Sequence, residues 1–145
     1  MEICGRRWAM FLGEFIHKID SKNRIMMPSD FRNDLAGEFY LTKGPENSLL
    51  VFTKEEFQKR ALKYEDLSYQ SKKNRALKRL FFSSTIKVCL DKQGRVLINK
   101  QLREYANLKD EAIIIGNNTN IEIWDLGNWE KYIANIEVNL SEIMD

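Results

Sequence analysis

Asp20, Lys22 and Arg24 stand within five residues of one another, and Asp91, Lys92 and Arg95 do so again further along the chain. A short carboxylate followed four places later by a guanidinium suits a tight polar turn. The carboxylate can accept backbone N–H groups inside the turn and fix its shape. Asn23 and Gly94 hold the same place in the two copies, and these residue types best tolerate positive φ. A rigid loop carrying one Arg and one Lys is suited to a polyanion. Lysine neutralises phosphate, and arginine can reach guanine O6 and N7 bidentately in the major groove. Lys18 leads into the first loop and belongs to the same basic set. The competing reading is structural: each Asp and Arg closes a surface ion pair across its turn, a common and weak arrangement. The pattern by itself does not separate these readings, nor DNA from another polyanion.

Catalytic readings fare worse. Two aspartates from two repeats resemble a shared-proton dyad, but Asp20 is followed by Ser-Lys and Asp91 by Lys-Gln, without the glycine such sites keep. Flanking cations favour anion binding over a shared proton. His17 is the sole histidine, so no Ser-His-Asp or Cys-His set can form, and there is no glycine loop for phosphate or cluster of metal ligands. The chain reads as a non-enzyme with no cofactor, no metal and no small-molecule substrate.

The elements that must hold these loops repeat with them. Asp20–Met27 recurs as Asp91–Ile98 at an offset of 71, which also pairs Phe15 with Ile86, Phe31 with Leu102 and Arg32 with Arg103. After one inserted residue the offset is 72 and pairs Gly44 with Gly116, Leu49 with Ile121, Phe52 with Trp124 and Phe57 with Trp129. Ordered apolar matches over such a length indicate a duplication. In each copy the pattern predicts strands (14–19 and 24–27; 85–90 and 95–98), a brief helix, and two more strands (38–42 and 48–52; 111–115 and 120–124). Ser29 and Asn99 are expected to cap the brief helices, with Gly37 ending the first. Thr53-Lys54-Glu55-Glu56 reads as a capping box opening a helix that bears Phe57, Ala61 and Tyr64. A second helix is expected over about 71–82, and Trp129, Ile133, Ile136, Leu140 and Ile143 fall at helical spacing.

A β unit this small is not stable alone without disulfides or metal. Two copies packed about a pseudo-twofold axis can share one core, giving an α+β fold. The expected division is 1–9 as an extension or cloning remnant, 10–56 as the first repeat, 57–84 as a helical connector, 85–128 as the second repeat and 129–145 as a C-terminal helix. Cys4 and Cys89 are too few and too far apart for a disulfide framework, and Cys89 is expected to be a buried thiol in a reduced cytosolic protein. No apolar run approaches the roughly 20 residues of a membrane span. The formal net charge is only +2, so any positive potential must be local. The basic run Lys72, Lys73, Arg75, Lys78 and Arg79 could extend such a patch, although a solvated helix face suits it better. Phe81-Phe82 reads as core or subunit contact.

Phe11-Leu12-Gly13-Glu14-Phe15, Ile19-Asp20-Ser21-Lys22-Asn23-Arg24, Phe81-Phe82-Ser83-Ser84, Leu90-Asp91-Lys92-Gln93-Gly94-Arg95 and Ile121-Glu122-Ile123-Trp124 resemble the MraZ family, within the SpoVT/AbrB-like swapped-hairpin group. The resemblance runs from about Met10 to the C-terminus, and the tandem Asp-x-x-x-Arg pair is its most specific mark. It implies two interleaved repeats forming a swapped-hairpin β-barrel with helices outside, and ring-shaped homo-oligomers. It further implies a cytoplasmic, nucleoid-associated transcription factor that binds direct repeats in double-stranded DNA at the promoter of the division and cell-wall gene cluster. Arg24 and Arg95 would contact the DNA, supported by Asp20, Lys22, Asp91 and Lys92. The chain departs from the family at Asn23, where glycine is more usual, and in the residues before Met10. Two other classes stay open: an interaction module with merely structural loops, and an RNA binder.

Overall fold

The computed structural model describes residues 9–136, together with the backbone of a two-stranded ribbon formed by β1 (Glu2–Ile3) and β2 (Arg6–Arg7). The Asp-x-x-x-Arg turns sit between β3 (Glu14–Lys18) and β4 (Arg24–Met26), and between β7 (Ile86–Val88) and β8 (Arg95–Leu97). Beyond β4 come α1 (Ser29–Arg32), β5 (Phe39–Lys43) and β6 (Leu49–Phe52); beyond β8 come α4 (Lys100–Ala106), β9 (Glu111–Asn117) and β10 (Asn120–Asp125). α2 (Lys54–Glu65) and α3 (Lys72–Ser84) join the copies, and α5 (Leu126–Asn135) follows the second. The expected C-terminal helix thus begins earlier than position 129, and Leu140 and Ile143 lie outside the described residues.

Strand pairing is between copies as much as within them. One antiparallel sheet runs β3-β9-β10-β6-β5-β7, an order that maps onto itself when the repeats are exchanged. β3 pairs with β9 from Glu14↔Ile115 to Lys18↔Glu111, and β7 pairs with β5 from Phe39↔Val88 to Leu41↔Ile86. β4 and β8 form a separate ribbon centred on Ile25↔Val96. Gly116 faces Ile121 while Lys43 faces Leu49, so the structural counterpart of Gly116 is Lys43 rather than Gly44. The expected barrel is not closed. β3 and β7 are both sheet edges, and no ladder joins the ribbon to the sheet among the described residues, where an isolated Ile19↔Ile25 bridge stands beside the end of β3.

The core lies between the inner sheet face and the ribbon. Phe39, Leu41, Leu49, Val51, Ile114, Ile121 and Ile123 meet Ile25, Met27, Val96 and Ile98, all fully buried. Phe31 of α1 and Leu102 of α4 enter the same cluster from equivalent positions. One shared core is how two short β units reach a stable size.

The outer face carries the helices. Thr53 caps α2 by accepting the Glu56 N–H, while the Glu56 carboxylate pairs with Arg60 rather than completing a capping box. Phe81 stacks on Tyr64 with ring centroids 4.2 Å apart, and Phe57 stacks on Tyr40 at the same spacing. Leu62, Leu77 and Leu80 remain exposed on these helices. Asn99 caps α4 as expected. Ser29 does not cap α1: it is the first helical residue, behind Pro28, which has no side chain able to cap.

Candidate nucleic-acid interface

Each turn is built by one carboxylate. Asp20 Oδ1 accepts the N–H groups of Lys22 and Arg24, both at 2.9 Å. The Asn23 N–H donates to the Asp20 carbonyl, and the Asp20 N–H to the Arg24 carbonyl, each at 3.0 Å. The second turn repeats this set with Gln93, Gly94 and Arg95 around Asp91. Closing so tight a loop requires one left-handed residue, and Asn23 (φ 63°) and Gly94 (φ 83°) supply it. Both positive-φ expectations hold.

The same carboxylates then hold the arginines. Arg24 Nε donates to Asp20 Oδ2 at 2.9 Å, and Arg95 Nε donates to Asp91 Oδ2 at 3.0 Å. The turns also meet each other. Arg24 Nη1 lies 3.7 Å from Asp91 Oδ2, and Arg95 Nη1 lies 3.7 Å from Asp20 Oδ2. Two carboxylates and two guanidiniums therefore form one ring of alternating charge, with each arginine side chain about a quarter exposed. The ion-pair alternative raised by the sequence is realised in both turns. The Asp20 carboxyl is held below the ordinary aspartate value, first by the backbone N–H of Arg24, then against the opposing effect of burial by the Arg24 side chain and the Lys22 N–H. The Asp91 carboxyl is lowered in the same way, first by the backbone N–H of Arg95.

Lysines complete the face. Lys18, Lys22 and Lys92 are exposed, and none of their ammonium groups has a hydrogen bond or ion pair among the described residues. Lys22 is the third residue of its turn and Lys92 the second of its own, so they occupy neighbouring rather than equivalent places. With Asp20, Arg24, Asp91 and Arg95, they put every residue singled out from the sequence on or beside the two turns.

The α3 basic run serves another purpose. Arg75 Nη1 donates to the carbonyls of Tyr69 and Gln70, Lys78 pairs with Glu65 at 3.1 Å, and Arg79 reaches the Tyr69 hydroxyl. These three clamp the α2–α3 connection, while Lys72 and Lys73 stay exposed. Cys89 also differs from expectation: it is exposed, because strand alternation turns it outward between Val88 and Leu90. Among the described residues no group of three or more His, Cys, Asp or Glu side chains could hold a metal ion.

Arg32 and Arg103 were legible only as a repeat match. Arg32 Nε donates to the Met27 carbonyl at 2.8 Å and Arg103 Nη1 to the Ile98 carbonyl at 2.6 Å, which sets both beside the turns. Their equal offset was the available signal; the contact itself depends on packing between repeats.

Comparison with known proteins agrees with this duplicated architecture. A family profile described as "MraZ protein, putative antitoxin-like" matches twice, over residues 10–80 and 81–145, one turn falling in each match. A protein of Finegoldia magna named transcriptional regulator MraZ is 43% identical over 136 residues, covering 94% of this chain and 95% of the relative. Its namesake from Clostridium tetani is 45% identical over 129 residues, covering 88% and 91%. That from Acetivibrio thermocellus is 40% identical over 136 residues, covering 94% and 95%. With both repeats matched and similarity running through nearly the whole length of chain and relatives, the chain belongs to the MraZ family.

Proposed function

We propose that this protein is a sequence-specific, DNA-binding transcriptional regulator, and that the paired Asp-x-x-x-Arg turns are its DNA-reading surface. The observation that carries the reading is the joining of two equally shaped turns by one charge ring, beside exposed lysines whose side chains pair with no other described residue. In this reading Asp20 and Asp91 set the loop shape, and Lys18, Lys22 and Lys92 neutralise phosphates. Arg24 and Arg95, each tied through Nε, present their remaining guanidinium edge to bases. The relatives' name, transcriptional regulator, supports the regulatory role.

The finer assignments follow the family resemblance. The target is the promoter of the division and cell-wall gene cluster, read as short direct repeats. The protein acts in the cytoplasm at the nucleoid as a ring-shaped homo-oligomer of swapped-hairpin units. Exposed Leu77 and Leu80, three residues apart on α3, support self-association, since neighbouring exposed apolar side chains favour burial by a partner. Oligomerisation would add many modest contacts through effective concentration.

A second reading has an observation of its own. Because both arginines are already paired with carboxylates, the turns could be structural and the protein an interaction module. Fluorescence anisotropy with a duplex taken from upstream of the gene, at two salt concentrations, separates the readings. Tight, salt-sensitive binding that is lost in the Arg24→Ala, Arg95→Ala double variant supports the DNA-reading surface, provided the variant still assembles and melts normally. Equal binding by both proteins relocates the site, with Lys72 and Lys73 next to be substituted. Absence of binding to that duplex and to a genomic pool rejects the regulator and favours the interaction module.

A further inference from the structure

Arg32 ends α1 and Arg103 lies in α4, at equivalent positions of the two repeats. Each donates to the carbonyl of a residue whose own N–H holds the turn of the other repeat. Arg32 bonds Met27, and the Met27 N–H donates to the Gly94 carbonyl at 2.9 Å; Arg103 bonds Ile98, and the Ile98 N–H donates to the Asn23 carbonyl at 3.1 Å. The residues after β4 and β8 have run out of ladder, so a guanidinium satisfies the carbonyl that the sheet leaves over.

Arg32 does more than bond a carbonyl. A Cβ on Gly94 would lie 2.5 Å from Arg32 Nε and 2.7 Å from its Cζ, so the guanidinium lies directly against the second turn at its left-handed residue. At the first turn Asn23 carries a Cβ, and Arg103 reaches the Ile98 carbonyl through terminal Nη1 instead of Nε. The two turns are therefore held unequally.

We propose that Arg32 and Arg103 are positioning residues, each fixing from its own repeat the turn of the other, with the Asp91–Arg95 turn the more tightly held. The role in recognition rests on the DNA-reading function proposed above; the clamp itself does not. A residue that positions a loop without touching phosphate alters discrimination between sequences, whereas a phosphate ligand alters the salt dependence of all binding.

Two measurements on the full chain test this. Hydrogen exchange followed by mass spectrometry compares wild type with Arg32→Ala and Arg103→Ala. Arg32→Ala should speed exchange across 91–95 about tenfold with little change across 20–24, and Arg103→Ala should do the reverse to a smaller degree. Unchanged exchange, or an equal rise in both turns, overturns the clamp. Should Arg32→Ala not fold, Arg32→Lys keeps a donor but loses the planar cover over Gly94, and it should still speed exchange across 91–95; wild-type exchange in that variant overturns the proposal. Anisotropy with the upstream duplex and a scrambled one, across several salt concentrations, then reads the role in recognition. Arg32→Ala should lose about tenfold in preference for the upstream duplex while keeping its affinity for the scrambled one and its salt slope. A slope reduced by about 0.9 would make Arg32 a phosphate ligand and overturn its positioning role. Wild-type protein without preference between duplexes would reject the DNA-reading function, and the exchange data would still decide the clamp.

Discussion

Arg24 touches the aspartate of the other repeat: its Nη1 stands 3.7 Å from Asp91 Oδ2, while its Nε holds Asp20 of its own turn. The symmetric contact from Arg95 to Asp20 closes the ring, so neither turn is electrostatically independent. Replacing both aspartates by asparagine keeps an oxygen for the backbone N–H groups but frees both guanidiniums. The Asp20→Asn, Asp91→Asn double variant should bind a scrambled duplex more tightly and with a steeper salt dependence, by about 0.9 in slope for each phosphate gained. Its preference for the upstream duplex should fall. Anisotropy on both duplexes checks this, and an unchanged slope would show that the freed arginines do not reach phosphate.

The same carboxylates give an acid limit. Both folded-state values lie below the ordinary aspartate value of 3.8, so the folded state binds these protons less readily than the unfolded chain. Their stabilising contribution is fully present above that ordinary value and is lost as pH falls through it to the lowered folded-state values. Thermal melts between pH 5 and pH 2 should show a smaller acid-induced fall in Tm for the double asparagine variant than for wild type.

The left-handed positions of the two turns differ in the room they leave for a side chain. Gly94→Ala imposes a side chain at φ 83° and displaces Arg32, so it should cost about 1–2 kcal/mol in urea denaturation. Asn23→Gly relaxes a strained asparagine and should shift stability by no more than about 0.5 kcal/mol. Equal effects at the two sites would contradict the unequal holding of the turns.

Outside the turns, Phe81 is the aromatic anchor of α3. It stacks against Tyr64 and Phe57 and is 8% exposed. Phe81→Ala should cost about 3–5 kcal/mol. Leu77→Ala and Leu80→Ala, on the exposed side, should change subunit stability by less than about 0.5 kcal/mol and lower the assembly state seen by analytical ultracentrifugation.

Local chemistry was readable in the chain, and distant contacts were not. Asn23 and Gly94 in one repeat position announced positive φ, and the alternation of Ile121-Glu122-Ile123-Trp124 announced β10. Asn99 and Thr53 announced their caps. Ser29 misled because Pro28 shifts the helix start by one residue. Cys89 misled because thiols are usually buried, whereas its own strand phase points it outward. The open sheet, the ring of charge and the Arg32–Gly94 contact all depend on which strand of one repeat lies beside which of the other. Periodicity carries no record of that.

The sheet order places β9 between β3 and β10, and this has a consequence during synthesis. On the ribosome, β3 emerges long before its partner, and from its own residues the first copy can complete the Asp20–Arg24 turn, the β5–β6 hairpin and the α2–α3 pair but neither the β3–β9 nor the β4–β8 pairing. The nascent chain must keep Phe15 and Ile25 without their final neighbours until Ile114 and Val96 appear. At bacterial rates of elongation that interval is on the order of ten seconds. Completion of the shared core is therefore gated by translation of the second half.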